Sequence, residues 1–235
     1  MNNHLSQPAF YKYLDIIASF FVGILIVSNI ASSAKIVDLG ISLFTIPLAF
    51  DGGTILFPLV YVLGDVLTEV YGFKTARRVI WTGFAAMTLT MLVFFVLGKL
   101  PAEAYWEETA GTDAFNAILG GMSYGGIVLA SLSAYLVGEF SNAAILSKIK
   151  AKVKDRTGWV RMLWVRTIGS SLVGQLLDTM IFVFIATLTG VFEWVIFWSL
   201  VLTNYILKIA IEALVTPFTY KACKFLKAKE GLDAY

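Results

Sequence analysis

Residues 167–190 read TIGSSLVGQLLDTMIFVFIATLTG, an apolar run whose only charged residue is Asp178. A run of about 20 apolar residues can cross a ~30 Å hydrocarbon core as an α-helix. Comparable runs lie at about 16–34, 54–72, 79–98, 114–138 and 195–220. The sequence therefore predicts an all-α, polytopic membrane protein, with six transmembrane helices in one domain that covers residues 1–235.

The composition supports a membrane protein and excludes several kinds of chemistry. Apolar residues make up 58% of the chain and charged residues 14%, against roughly 45–50% and about 25% in soluble proteins. His4 and Cys223 are the only residues of their types, so no zinc site, haem site, disulfide or Ser-His-Asp triad can be assembled. No Walker-type phosphate loop is present. We therefore expect a protein without cofactor or metal that is not an enzyme.

The distribution of basic residues predicts the topology. With six spans and a cytoplasmic amino terminus, fifteen of the 18 Lys and Arg residues fall on the cytoplasmic side, as the positive-inside rule requires. Both termini are therefore predicted to be cytoplasmic, in a multi-pass protein of the cell (inner) membrane. The basic stretch from Lys148 to Arg156 is interpreted as a topology anchor beside the lipid bilayer and not as a nucleic-acid site. By extension from soluble chains, a homodimer is the assembly that we consider.

Charged residues at membrane depth are costly, and they indicate functional sites by default. Asp178 lies fifteen residues before the turn near Glu193, and Lys208 lies fifteen residues after it. At ~1.5 Å per residue, both side chains should lie about 22 Å from the turn on neighbouring antiparallel helices. The sequence therefore predicts an ion pair near mid-membrane, either direct or mediated by a substrate.

A substrate cavity is predicted around this pair. Aromatic residues on the face of Asp65 are candidates for stacking on a planar ligand. The candidate substrate-binding residues are Asp178, Lys208, Gln175, Asn204, Asp65, Tyr61, Phe57 and Asn29. Carboxylates outnumber Lys208 at membrane depth, so some must be protonated, wetted by a cavity or paired near the inner interface. The candidates for proton coupling or gating are Glu69, Glu139, Glu212 and Arg166.

Three segments are similar to the signature of a known family. They are Gly64-Asp-Val-Leu-Thr-Glu-Val-Tyr-Gly72 followed by Ala76-Arg77-Arg78, Gly169-Ser-Ser-Leu-Val-Gly-Gln-Leu-Leu-Asp178 continuing to Ala186, and Asn204-Tyr-Ile-Leu-Lys208. Together they resemble the queuosine precursor transporters, which are also called the vitamin uptake transporter family. The resemblance covers nearly the whole chain.

This resemblance implies uptake of 7-cyano-7-deazaguanine, 7-aminomethyl-7-deazaguanine or queuine, which are salvaged to make a modified tRNA nucleoside. It also implies a likeness to the six-helix substrate-binding subunits of energy-coupling-factor vitamin transporters. A carboxylate such as Asp178 or Asp65 can accept the N–H groups of a guanine-like edge. Donors to the ring acceptors are available from Gln175, Asn204, Lys208 or Asn29.

Two alternatives remain open at this point. The chain could be a binding subunit that works only with an ATP-driven partner complex. The first span, however, has Ser28-x-x-x-Ser32 and no Ala pair at the small-residue spacing by which such subunits dock. Asp65 and Asp178 could instead share a proton in an intramembrane aspartyl protease, although Val62-Leu-Gly-Asp65 departs from the Gly-x-Gly-Asp motif of that class.

Overall fold

The computed structural model describes residues 11–43, 46–123, 126–153 and 159–232. Helices account for nearly all of the regular structure. The elements are α1 (Leu14–Ala34), strands β1 (Ile36–Leu43) and β2 (Ile46–Asp51), α2 (Phe57–Val66), α3 (Phe73–Leu97), α4 (Ala104–Thr109), α5 (Gly111–Ser123), α6 (Gly126–Val153), α7 (Trp159–Leu188) and α8 (Phe197–Lys229).

The described part of the chain has six helices long and apolar enough to cross a membrane, which confirms the predicted fold class. They run over Leu14–Ala34, Gly52–Tyr71, Phe73–Leu97, Leu129–Ile149, Thr167–Leu188 and Trp194–Lys229. Each predicted span has a counterpart among them. The last is longer than predicted, because the helix continues past Pro217 and ends with Lys227 and Lys229 in its final turn.

A β-hairpin between the first two spans is a feature that the sequence reading missed. Strands β1 and β2 pair antiparallel from Ile36 opposite Asp51 to Leu43 opposite Ile46, with an irregularity between Asp38 and Ser42. The β-branched residues Ile36, Val37, Ile41 and Ile46 favour extended backbone. The predicted all-α architecture therefore holds for the spans but omits this hairpin, which returns Asp51 to the start of the second span.

The second and fourth spans depart from their predicted form. The second span, predicted at 54–72, combines a 3-10 turn (Gly52–Ile55), α2, and a π-helical turn (Leu67–Tyr71) that ends at Gly72, whose φ is +82°. The fourth was predicted at 114–138, whereas its membrane-crossing part is Leu129–Ile149 in α6.

The second span is the most buried of the six and lies at the centre of the bundle, where α2 packs against α1, α6 and α8. Long contacts also join α6 to α7 and α7 to α8. We refer to the end of the bundle that carries the β-hairpin as the hairpin end. The opposite end, which carries residue 11 and Lys229, is the termini end.

Candidate functional site

A buried ion pair links α7 to α8. Lys208 Nζ lies 2.8 Å from Asp178 Oδ2 and also donates to Thr179 Oγ1 at 3.3 Å. The same ammonium lies 4.8 Å from the centroid of the Phe57 ring, at the start of α2. The predicted meeting of Asp178 and Lys208 is thus present as a direct contact. It is held by charge, by a hydroxyl and by a cation–π contact.

This pair lines a small, largely enclosed cavity of about 10 Å³, which is room for one water molecule. Helices α1, α2, α6, α7 and α8 and the end of β2 all contribute to its wall. Four of the predicted binding residues line it, namely Asn29, Phe57, Asp178 and Lys208. The sequence reading missed five others, which are Asp51, Ser131, Ala134, Tyr135 and Phe182.

Asp51 is the main polar residue that the sequence reading missed. It is 2% exposed, and the backbone N–H of Gly53 donates to Oδ1 at 3.1 Å. Ser32 Oγ donates to the same oxygen, while Thr54 Oγ1 and Asn204 Nδ2 each donate to Oδ2 at 2.9 Å. In the sequence, Asp51-Gly-Gly-Thr54 has the pattern of an N-cap residue before a turn. That pattern marks the start of the second predicted span and does not by itself indicate a site.

Asn204 therefore borders the cavity through Asp51. Its amide nitrogen donates to Asp51, and its Oδ1 lies 3.1 Å from Thr54 Oγ1, whose single proton is shared between Asn204 and Asp51. Both ends of the amide are thereby oriented by the turn at the start of the second span. The structure places Asn204 behind the wall, holding a carboxylate in place.

A second polar group lies one helical turn nearer the termini end. On each of four helices, one residue lines the cavity. A second residue, three or four positions away in the direction of the termini end, belongs to this polar group. The pairs are Phe57 and Tyr61 on α2, Tyr135 and Glu139 on α6, Asp178 and Gln175 on α7, and Lys208 and Glu212 on α8. We call this polar group the acidic cluster. It consists of Tyr61, Asp65, Glu139, Gln175 and Glu212.

Amides satisfy part of the acidic cluster. Asn142 Nδ2 donates to Asp65 Oδ1 at 3.0 Å, and Gln175 Nε2 donates to Glu212 Oε2. Glu139 is different: within the described ranges neither of its carboxyl oxygens has a hydrogen-bond partner, although the residue is only 2% exposed. The structure thus places Tyr61, Asp65 and Gln175 beside Glu139 and Glu212, outside the wall of the cavity.

Two glycines bring the cavity and the acidic cluster close together. A Cβ on Gly138 of α6 would lie 2.6 Å from the Tyr61 hydroxyl and 2.7 Å from Asp178 Cβ. On Gly174 of α7 it would lie 2.8 Å from Asn142 Cβ. Contacts this short leave no room for a methyl group. Tyr61 therefore fits beside Asp178, and one side-chain layer separates the ion pair from the acidic cluster.

The remaining predicted gating residues lie toward the termini end. Glu69, in the π-helical turn, pairs with Lys227 of α8 at 2.9 Å. One turn beyond Lys227, the Glu230 carboxylate accepts from the backbone N–H groups of Lys12 and Tyr13, both at 2.8 Å, and from Tyr71 Oη at 3.0 Å. The Arg166 side chain lies outside what the structure describes.

The Glu230 contacts join the start of α1 to the end of α8. Desolvation would raise the pKa of this carboxyl, but the hydrogen bonds from the backbone N–H groups of Lys12 and Tyr13 and from the Tyr71 hydroxyl outweigh it. The pKa of Glu230 is consequently below its ordinary value. We call Glu230 with its three donors the terminal clasp.

Comparison with known proteins places this arrangement in a family. Residues 51–222 match the family model described as "Putative vitamin uptake transporter". A "Probable queuosine precursor transporter" of Bacillus subtilis (strain 168) is 30% identical over 178 residues, which cover 76% of this chain and 73% of the relative. The "Queuosine precursor transporter" of Escherichia coli (strain K12) is 26% identical over 184 residues, or 78% of this chain and 73% of the relative. No solved structure matches the chain.

Proposed function

The chain belongs to the family described as "Putative vitamin uptake transporter", and from this premise we propose that it imports queuosine precursors. It is a multi-pass membrane transporter and not an enzyme. The names of its relatives support the choice of substrate. We infer further that the substrate is a 7-deazaguanine base, that is 7-cyano-7-deazaguanine, 7-aminomethyl-7-deazaguanine or queuine, salvaged for tRNA modification.

The observation that carries the proposal is the buried ion pair in the wall of the cavity. A guanine-like edge presents adjacent N–H donors, and a carboxylate has about four acceptor sites. Lys208 occupies one of these sites on Asp178. An ammonium has three N–H donors, of which Asp178 and Thr179 take two, so the third is able to reach a ligand carbonyl.

The residues of the rest of the wall suit a planar ring with polar edges. Because the cavity measures about 10 Å³, the helices must move apart to admit such a ring. Phe57 and Phe182 offer aromatic faces, while Asn29 and Ser131 add polar groups. In this proposal Asp51 and Asn204 hold the polar wall in place, and Tyr61, Asp65 and Gln175 support it from the side of the acidic cluster. The buried polar groups of such a site need hydrogen-bond partners on the ligand, so the site should reject bases that lack the matching donors and acceptors.

The orientation in the membrane is part of the proposal. We place the hairpin end outside the cell and the termini end in the cytoplasm, because most Lys and Arg residues then lie inside. Exposed apolar side chains along the spans, such as Phe20, Leu214 and Phe218, support contact with the bilayer of the inner membrane. Assembly as a homodimer completes the proposal, and light scattering of the purified protein would measure it.

Neither alternative function gains support from the site. A catalytic pair of aspartates would have to share a proton, but Asp178 is paired with Lys208 and Asp65 accepts from Asn142. For the energy-coupling alternative, proteoliposomes that contain only this chain provide the deciding test. Uptake without any ATPase would establish an autonomous carrier. A requirement for a partner complex would establish a binding subunit.

Ligand-induced thermal stabilisation of the purified protein tests the substrate class. A ligand at 100 times its Kd stabilises the folded state by about 2.7 kcal/mol. We expect 7-deazaguanine bases to raise the melting temperature, and adenine and vitamins such as pantothenate to leave it unchanged. Unsubstituted 7-deazaguanine, which lacks only the 7-substituent, measures what that substituent contributes. Stabilisation by a vitamin alone would overturn the proposal.

A further inference from the structure

The buried charges of the described helices do not balance. Six carboxylates are buried in the spans and the adjoining turn at Asp51, against two buried lysines. Each lysine already has a carboxylate partner, Lys208 with Asp178 and Lys227 with Glu69. Asp51 is compensated differently, by four hydrogen-bond donors. The uncompensated negative charge is therefore concentrated in the acidic cluster.

Within that cluster Glu139 has the poorest surroundings for a charge. Its carboxyl packs against the backbone of α2, where a Cβ on Gly64 would lie 3.0 Å from Oε2. Neither oxygen has a hydrogen-bond partner among the described residues. A carboxylate that is buried without a cation or donors is among the most expensive groups that a membrane protein can hold, and such groups are held neutral instead.

The groups that face Glu139 would make a negative charge there still less favourable. The carboxylates of Asp178 on α7 and Glu212 on α8 would repel a charge on Glu139, and so would that of Asp65 on α2. The Tyr61 hydroxyl, also on α2, is uncharged and has no hydrogen-bond partner in the described structure. On α6 the Tyr135 hydroxyl is committed to the Ile80 carbonyl at 2.8 Å, and α1 offers the apolar ring of Phe21 beside Gly64.

We propose that Glu139 is a proton-binding site and that its proton enters with the substrate, so that the protein is a proton symporter. The inference rests on the proposed import function. A proton bound to one carboxyl oxygen neutralises Glu139 while the bundle is closed. Loss of this proton leaves a negative charge on Glu139 beside Asp178 and Glu212. Water can stabilise that charge only when the bundle opens at the termini end. Release of substrate and release of proton are thereby linked.

The short distance between the two sites explains the coupling. Asp178 lines the cavity, and its Cβ lies next to Gly138, as does the Tyr61 hydroxyl. A base that donates to Asp178 moves the carboxylate charge and the position of Lys208, and both change the electrostatic potential at Glu139. The substrate therefore acts on the proton through a single layer of side chains.

An infrared measurement tests proton binding without any substrate. The wild type at neutral pH should show a carboxylic-acid C=O band that is lost in Glu139→Gln. The control Glu193→Gln makes the same chemical change at an exposed turn residue and should keep the band. Glu139→Asp, which retains a carboxyl group, should keep a shifted band. Persistence of the full band in Glu139→Gln would overturn the assignment.

Proteoliposomes test the coupling. With one proton per substrate, an imposed inward proton gradient should raise accumulation of a 7-deazaguanine base about tenfold per pH unit in the wild type. Glu139→Gln should still bind the base and equilibrate it, but should not accumulate it, whereas Glu193→Gln should behave as the wild type does. Gradient-independent uptake by the wild type, or accumulation by Glu139→Gln, would refute the coupling. If no deazaguanine is bound at all, the proposed substrate fails, while the infrared result still decides whether Glu139 binds a proton.

Discussion

The cavity and the acidic cluster lie one helical turn apart on the same helices, yet they treat charge in opposite ways. In the cavity, Asp178 has a cation at 2.8 Å and Asp51 has four donors. In the cluster, Asp65 and Glu212 receive amide donors, and Glu139 receives none from the described residues. A buried group is kept charged by partners and kept neutral by their absence.

The difference suggests a division of labour. Fixed charges with oriented partners recognise a polar ligand, because they cost no reorganisation when it binds. A carboxyl group without partners is suited to gaining and losing a proton. In our proposal the bundle places a recognition site and a proton site side by side, with Tyr61 between them. The following predictions test this contrast.

The largest effect should come from removing the cation of the cavity. Lys208→Met leaves Asp178 buried without its partner, and breaking a buried pair in this way costs about 3–5 kcal/mol. We expect a sharp fall in the yield of folded protein. The double variant Asp178→Asn with Lys208→Met removes the lone charge, so it should recover expression better than it recovers transport. Size-exclusion profiles measure the first effect and uptake assays the second.

Normal folding of Lys208→Met would show that the cavity tolerates a carboxyl group without a partner, as the acidic cluster does. The contrast between the two regions would then lose its physical basis. A matched comparison is available in Lys221→Met, because Lys221 is an exposed lysine of the same helix and its loss should leave the yield unchanged.

Removing the carboxylate of the pair should reduce ligand binding. Asp178→Asn keeps the size of the side chain but turns one acceptor into a donor that faces the donors of the ligand. The change should cost ~2–5 kcal/mol of binding, part of which reflects the unpaired Lys208. Isothermal titration with a 7-deazaguanine base measures the loss. Binding at the wild-type level would move the recognition site away from the cavity, toward Glu69 and Glu139.

The layer between the two regions can be disturbed without altering any charge. Gly174→Ala places a methyl group 2.8 Å from Asn142 Cβ, whereas Gly169→Ala on the same helix meets only Ile149 Cδ1 at 4.0 Å. Overpacking of this kind costs about 1–3 kcal/mol. We expect Gly174→Ala to lower the melting temperature and Gly169→Ala to leave it unchanged. Equal behaviour of the two variants would mean that α6 and α7 do not meet closely at this level.

Hydropathy and charge were enough to predict the six spans and the Asp178–Lys208 pair, because a short turn near Glu193 fixes the depth of both residues. The role of Asp51 was not predictable in this way. It depends on a hairpin that brings Asp51 back against α8, and on a contact with Asn204 across 153 residues. Local patterns carry no information about such distant contacts.

The division of the predicted single site into two was missed for a related reason. Spacing along a helix shows which residues share a face, and it grouped Asp65, Gln175 and Asn204 with the ion pair. It does not show where a neighbouring backbone comes close enough to separate two levels. At Gly138 and Gly174 the helices approach so closely that only Tyr61 and Asn142 fit between the two levels. These close approaches depend on how three helices pack in space.

The smallest effect should come from the terminal clasp, where a carboxylate is well partnered but lies at the surface of the bundle. Glu230→Gln should destabilise the protein by no more than about 1 kcal/mol, as is typical of partly exposed charged contacts.

The size of this effect should depend on pH. The hydrogen bonds hold the pKa of Glu230 below the ordinary glutamate value of 4.5. A lowered folded-state pKa adds stability that is fully present above the unfolded value and is lost as pH falls through the folded one. The difference in melting temperature between wild type and Glu230→Gln should therefore be constant from neutral pH down to about pH 5 and shrink below it. If the difference changes instead around neutral pH, the titrating group is not Glu230. If it is absent at every pH, the clasp does not hold α1 to α8.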